Sequence, residues 1–545
     1  MIDMISSTRI FVLNNINLSP DASFEEAFSV ASKKIKSSGI SESDFRYGIY
    51  KKSIDARKKN GIKIVYSVSV SASVSEKVAE KLRGIGFSEV NIQSPIPVIG
   101  NEVMSAPPIV VGTGPAGLFA ALLLAELGYK PTVLERGGSV KERKEAVAVF
   151  KRDRILDTET NIQFGAGGAG TFSDGKLITR IGDGFSSYVL SRFIEFGAPP
   201  EIAYLAKPHI GTDILSEIVD SMLKKIEQLG GRVLYHTAFL EPEVDSSGKL
   251  YSVKTTAGDL SAGALILATG HSARDTYQTL IKHGFSSEAK PFSVGMRIEH
   301  LTEDIDRAMY GDFAGHPNLG HAEYSLSHNT KVRGAYTFCM CPGGEVVAAT
   351  SESGGVVTNG MSENSRSGRN SNSAVVVSVF KEDYGASPMK AIEFQRKIER
   401  AAFLCGGSNY SAPMITVGDF LSGRLSSEPT RISPTYMNGG GVTLARPESY
   451  LPGFVCDGLK NAITAFDNKI SGFASTDALL TGAETRTSAP IRILRDNEAR
   501  TALGFDNVYP AGEGAGYAGG ITSAAIDGLR SALALIARFK PVFCG

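Results

Sequence analysis

One stretch constrains the fold more than any other: Ile109-Val110-Val111-Gly112-Thr113-Gly114-Pro115-Ala116-Gly117-Leu118-Phe119-Ala120. A short β-branched run enters a Gly-x-Gly-x-x-Gly turn, and an apolar, Ala-rich helix follows at once. Gly112 permits the tight turn, Gly114 lets the main chain approach a pyrophosphate, and Gly117 lets helix and strand pack closely. The helix directs its N-terminal N–H groups and positive dipole end at the phosphates, with Pro115 and Ala116 in its first turn. The helix Leu118–Leu127 stops at Gly128, and a second strand, 130–134, ends in Glu135. A carboxylate about 20 positions beyond the first glycines is where a ribose hydroxyl pair needs an acceptor. The competing reading is a βαβ turn that holds no nucleotide.

The chain has 545 residues, enough for two or three domains and a large core. Its formal net charge is zero, which argues against a general nucleic-acid or membrane-surface binder. No run of about 18 apolar residues offers a membrane span, and the first residues lack a basic-then-apolar leader. Five cysteines in so large a chain read as reduced thiols of a cytoplasmic protein.

Residues 1–103 read as a ferredoxin-like βαββαβ module. Strand 8–13 precedes a helix over 23–36 with Ser23 and Glu26 as a capping box. Strands 45–54 and 63–70, a helix over 75–85 and a strand near Val90 follow. In the third strand Ile64, Tyr66, Val68 and Val70 share one face. Lys51, Lys52, Arg57, Lys58, Lys59 and Lys63 make a basic hairpin, either a solvated edge or a surface for RNA or an acidic partner. Pro95, Pro97, Pro107 and Pro108 mark the linker.

Residues 104–290 carry the dinucleotide unit, a charged helix 140–151 containing Arg143, and a second glycine cluster from Asn161 to Lys176. So many small residues pack poorly but let backbone N–H groups lie against a flat ring system. Gly165, Gly167, Gly168, Ala169, Gly170, Thr171 and Ser173 are the expected contacts; a flexible linker is the alternative. A helix capped by Thr212, a strand 232–236 and a meander follow, and a buried run then ends in Ala268-Thr269-Gly270. Residues 291–484 read as an inserted α+β domain with a long polar loop over 362–373 and helices over 389–404 and 459–469. Residues 485–545 return to the first domain. There Ala511-Gly512-Glu513 ends a strand, and Gly519-Gly520-Ile521 opens a helix. Glu513 is placed to accept from a ribityl hydroxyl. The helix N-terminus is placed to stabilise charge at the N1–C2=O edge of a flavin, by about 1 kcal/mol.

Together, Gly112-x-Gly114-x-x-Gly117…Glu135, Ala268-Thr269-Gly270 and Ala511-Gly512-Glu513 resemble the glutathione-reductase superfamily of FAD enzymes, in the branch with a single nucleotide fold. The motifs 161–176, 207–213 and 484–492 resemble those of the bacterial FAD-dependent dehydrogenases. The resemblance implies an α/β fold: a Rossmann-like FAD-binding domain of parallel sheet and β-meander, the inserted domain and the N-terminal module. It implies that Gly112, Gly114 and Gly117 hold the pyrophosphate and Glu135 the adenosine ribose, that Arg136 lies against the adenine, and that Phe239 meets it through its main chain. The second nucleotide fold and the Cys-x-x-x-x-Cys of the two-dinucleotide reductases are missing. NAD(P)H or another electron donor would therefore bind without its own Rossmann unit.

Three sets of residues are candidates for chemistry. Cys339 and Cys341 are two residues apart, either a strained redox pair or buried thiols. His209 and His271 are candidate general acid–bases, although a histidine near a loop is more often a structural hydrogen-bonder. Arg297, Arg486 and Arg492 are candidate clamps for an anionic substrate, with ion pairing as the alternative. Cys405, Cys456 and Cys544 suggest no role, and no ligand spacing suggests a metal. The expectation is a FAD-dependent oxidoreductase that passes a hydride between a small molecule and flavin N5. The alternatives are a FAD-dependent RNA-modification factor using the basic hairpin, and a flavin-bearing redox sensor using the cysteine pair.

Overall fold

A computed structural model describes residues 8–542 apart from Glu42, 91–94, Ile96, 178–182, Lys331, Ala386 and 426–427. Cys544 and the first seven residues lie outside the described part. The architecture is mixed α/β, with parallel and antiparallel sheets. Among the described residues no helix is long and apolar enough to cross a membrane.

The first sheet is antiparallel, its strands ordered Arg46–Asp55, Lys63–Ala72, Arg9–Leu18, Phe87–Val90. Helix Phe24–Ser37 begins with the capping box read from the sequence: Ser23 and Glu26 exchange side-chain and main-chain bonds. Ile64, Tyr66, Val68 and Val70 are buried, as their alternation demands. The edge strand that carries the basic residues is partly covered. Lys52 donates its N–H to the Tyr204 carbonyl at 2.7 Å, and its own carbonyl accepts from Ala206 at 2.9 Å. Asn318 also donates to the Pro20 carbonyl at 2.9 Å, tying this sheet to a second segment of the chain.

A five-stranded parallel sheet forms the centre of the nucleotide unit. Its order is Val508–Pro510, Leu265–Leu267, Ile109–Val111, Thr132–Leu134, Arg232–Leu234. The chain therefore leaves this sheet after 267 and returns at 508. Helix Pro115–Glu126 is apolar on every side, with residues 116 through 125 all buried, as an all-round apolar helix must be. Helices Thr212–Gln228 and Ile521–Arg538 pack against it. Strand 232–236 of the sequence reading ends at Leu234, and the meander comprises Phe239–Val244, Leu250–Thr255 and Gly258–Ser261.

Between the two visits lies a seven-stranded sheet ordered Ser327–Asn329, Gly334–Cys341, Asn370–Val379, Phe292–Leu301, Leu479–Glu484, Ala412–Thr416, Val442–Leu444. One expectation fails here. The polar stretch 362–373 is not loop throughout, because Asn370–Ser373 is buried strand. Its polarity is met across the sheet: Asn370 donates to Glu299, Ser371 to Thr302, and Asn372 accepts from Arg297. Composition reads such a segment as exposed only because its partners lie far away in sequence.

Candidate functional site

The early turn shows which of its glycines the protein itself requires. Gly112 has φ +96°, and a Cβ there would overlap the Ala268 carbonyl; a Cβ on Gly117 would overlap the Gly112 carbonyl. Gly114 differs. Its φ of −62° suits any residue, and the nearest atom to a Cβ is Gly168 Cα at 3.9 Å. Nothing in the protein demands glycine at 114, so the space above it is left for another molecule.

The second glycine cluster lies directly on this turn. A Cβ on Gly168 would come within 2.9 Å of Gly114 Cα, and one on Gly170 within 3.2 Å of Ile521. Arg143 is the pin that shapes the loop, and this corrects its expected contact with the cofactor. It is fully buried, and its guanidinium donates to the carbonyls of Asn161, Ile162 and Ala166 at 2.7–2.8 Å while lying over Phe172. Burial without an anionic partner pulls its pKa down to about 9, with Glu135 opposing. Glu135 is also committed: its two oxygens accept from Thr113, from the Gly137 N–H at 3.1 Å and from the Gly165 N–H at 3.0 Å. Gly167 and Ala169 complete the loop, in which Gly167 donates to Thr113 Oγ1 at 3.1 Å. Ser173 turns back on the Gly170 carbonyl at 2.7 Å. The Thr171 hydroxyl is buried and has no partner among the described residues.

The C-terminal turn closes from the other side. A Cβ on Gly512 would meet Ala116 Cβ at 2.6 Å, and one on Gly514 would meet Gly270 at 2.5–2.8 Å, so this turn packs against the early helix and the 268–270 turn. Positions 270 and 519 have nothing within 4 Å of a Cβ. Helix Ile521–Arg538 starts at Gly520, facing the glycine loop through the Gly170–Ile521 contact. The Glu513 carboxylate meets no hydrogen-bond donor among the described residues. Burial pushes its pKa up to about 7, with Lys290 pulling the other way. A carboxylate and a hydroxyl without protein partners, close to where three glycine turns meet, are fit to receive a polar ligand.

The sequence reading missed several groups that hold this site. Asp527 accepts the Gly512 N–H at 2.7 Å and is clamped by Arg495 and Arg500. Tyr277 donates to the Gly514 carbonyl at 2.7 Å, and Asn507 ties Leu250 to Gly263. Only Asp527 left a local sign, a lone acid on the buried face of an apolar helix.

Most of the chemistry candidates are occupied. Arg297 is 0% exposed, and all five of its N–H donors have partners: Glu484 twice, Asn372, Asn359 and the Cys339 carbonyl. Arg486 forks onto Glu399, which Arg274 also grips, and donates to Ser272 and Ser351. Neither is free to clamp a substrate. Arg492 is, making only long bonds of 3.3–3.4 Å to Glu288 and the Gly516 carbonyl. The ring nitrogens of His209 face the carbonyls of Asp174 and Asn364, so neither is left for proton transfer to a ligand. Burial, then Arg486 and Arg274, pull the His271 pKa down to about 3, which favours the neutral ring, and its Nδ1 lies 2.9 Å from the Ser272 hydroxyl. Cys339 and Cys341 are free thiols.

Arg136 lies over the Phe164 ring at 4.3 Å and pairs with Glu159 and Asp275. It borders a cleft of about 490 Å³ lined also by Ser272, Arg274 and Glu352. Phe239 starts its meander strand just after Thr237, whose N–H donates to the Glu135 carbonyl at 2.9 Å, so it stands near Glu135. Thr269 links the buried strand to Gly270.

Comparison with known proteins adds three findings. A family described as "FAD-dependent protein, C-terminal domain-like" matches residues 291–487, and a domain of unknown function matches 12–71. An uncharacterized protein of Clostridium beijerinckii is 46% identical over 534 residues, covering 97% of this chain and 98% of that protein. Among solved structures, glycine oxidase from Bacillus cereus is 8% identical, with 80% of this chain and 98% of that chain covered at a TM-score of 0.32. L-amino acid deaminase from Proteus vulgaris is 11% identical, with 82% and 97% covered at 0.33. At such TM-scores the structural likeness assigns no function.

Proposed function

This chain belongs to the family of its Clostridium beijerinckii relative, and from that premise we propose that it is a FAD-dependent oxidoreductase acting on a small molecule. The match of 291–487 to a FAD-dependent family supports the cofactor. The observation that carries the reading is the meeting of three glycine turns, distant in sequence, at the open face of Gly114, with Thr171 Oγ1 and the Glu513 carboxylate lacking partners among the described residues. When bound, FAD supplies a two-electron acceptor at its ring.

The protein's part is to bind and orient. Gly114 leaves room for the pyrophosphate, Gly112 and Gly117 shape the turn that brings strand and helix together there, and the N-terminal N–H groups of helix Pro115–Glu126 would receive it. Glu513, half-buried and without a donor among the described residues, would accept from a ribityl hydroxyl. Helix Ile521–Arg538 offers its positive end to charge on the ring. Glu135 meets the adenosine ribose only by exchanging one of its protein donors, so its first role is to hold the glycine loop. Arg492, with its weakly committed guanidinium, is the candidate to hold an anionic substrate. The electron donor, NAD(P)H or another, is expected to bind without a nucleotide fold of its own. No observation favours the RNA alternative, since the strand carrying the basic residues is engaged with 204–206.

The test is direct. Purified protein is expected to show flavin absorbance, and Gly114→Val is expected to be folded by circular dichroism but colourless. Wild-type protein that stays colourless when titrated with FAD overturns the reading.

A further inference from the structure

The strand Gly334–Cys341 is broken at its two cysteines. Its pairing with Asn370–Val379 shifts register between Phe338 and Cys341, and Cys339 has φ +45°. A residue with a Cβ holds that conformation only where its surroundings impose it, and such strain gathers at functional positions. Three contacts impose it here. Arg297 donates to the Cys339 carbonyl at 2.8 Å, the Cys341 thiol donates to the same carbonyl at 3.3 Å, and Lys176 donates to the Met340 carbonyl. Arg297 comes from the inserted sheet and Lys176 from the end of the glycine loop. The Cys-x-Cys turn is therefore clamped between the two halves of the molecule.

The two thiols are not equivalent. Cys341 is fully buried, whereas Cys339 is partly exposed. Cys339 has the Cys341 thiol beside it, donating to its carbonyl, and the cations Arg297 and Lys176 within electrostatic reach, with burial and Asp174 opposing. These together hold the Cys339 thiol below its usual range. Burial and the neighbouring sulfur push Cys341 well above it. Glu484 is paired with Arg297, and Asp174 and Glu323 both stand 3.6 Å from Lys176, so neither cation is unbalanced.

We propose that Cys339 and Cys341 form a thiol–disulfide exchange site for a small disulfide, with Cys339 the attacking sulfur and Cys341 the resolving one. The Cys339 thiolate attacks one sulfur of the incoming disulfide, the S–S bond breaks, and the first thiolate leaves. Cys341 loses its proton and attacks Cys339, releasing the second thiol and closing the Cys339–Cys341 bond. The protein dithiol is oxidised by two electrons, and the small disulfide is reduced to two thiols. A bond across only one intervening residue closes a small, strained ring, which favours passing the oxidation onward. The exchange goes beyond the flavin reading and needs no flavin.

The experiment uses the full-length protein as purified, with glutathione disulfide as the probe and peptide mapping by mass spectrometry as the readout. Wild type is expected to form the 339–341 disulfide. Cys341→Ser is expected to accumulate a glutathione adduct on Cys339, formed at least about tenfold faster than on Cys405, and Cys339→Ser to leave Cys341 unmodified. A second measurement needs no variant: iodoacetamide labelling of wild-type Cys339 is expected to reach half its maximal rate at a pH below the ~8.5 of a free thiol. An adduct on Cys341 in the Cys339→Ser protein, or Cys339 labelling no faster than Cys405, overturns the proposal. Flavin absorbance of the untreated protein reports separately on the cofactor reading.

Discussion

Arg297, in the inserted sheet, commits every N–H donor to the protein, whereas Glu513, at the C-terminal glycine turn, meets no donor among the described residues. Both are charged side chains largely removed from water. The first is satisfied by carboxylate, amides and a carbonyl, so its role is to hold the sheet together. The second has no donor from the described residues and stays partly open to solvent or a ligand. Charge and burial alone do not mark a ligand site; an unfilled hydrogen-bonding capacity does.

The comparison breaks first at Arg297. Arg297→Ala strands Glu484 in the core and is expected to lower stability by about 3–5 kcal/mol in urea denaturation. Unchanged stability with a raised KM would instead make Arg297 a substrate residue. Next come the early glycines. Gly117→Ala is expected to cost about 1–3 kcal/mol because its Cβ overlaps backbone. Gly114→Ala is expected to change apo stability by less than about 0.5 kcal/mol yet weaken FAD retention, measured by flavin released on gel filtration.

Glu513 gives a smaller, pH-dependent effect. Its folded pKa, about 7, lies above the ordinary 4.5. Its contribution to apo stability is therefore fully present below 4.5 and lost as the pH rises through about 7. Glu513→Gln is expected to stabilise the apo protein at a pH of about 8 by roughly 1–2 kcal/mol, and to weaken FAD binding. A variant with unchanged apo stability would mean that the carboxylate is satisfied after all. His271 works in the opposite sense. Its folded pKa, about 3, lies below the ordinary 6.5, so its contribution is present above 6.5 and lost as the pH falls towards 3. His271→Asn is expected to flatten the acid side of the stability curve by about 1 kcal/mol and to leave the neutral pH dependence of turnover unchanged. A shifted turnover profile would restore its acid–base role.

Much of the nucleotide unit was legible in the chain because its signals are local. Gly112, Gly114 and Gly117 occupy one turn, and the residues after them form an apolar helix whatever packs against it. Ser23 and Glu26 form their capping box within four residues. The inserted sheet was far less legible. Its polar strand 370–373 resembled a loop, and Arg297 and Arg486 resembled anion clamps, because hydrophilic residues in sequence carry no sign of who will face them.

By itself, then, the sequence determined where the backbone turns tightly, which helix must be buried, and where a carboxylate ends a strand. Only the tertiary structure decided which polar groups are filled and which stay open. Arg297 and Glu484 are 187 positions apart, and Gly170 meets Ile521 across most of the chain. Hydrogen-bond saturation depends on partners delivered by the packing of distant strands, and no local spacing encodes it.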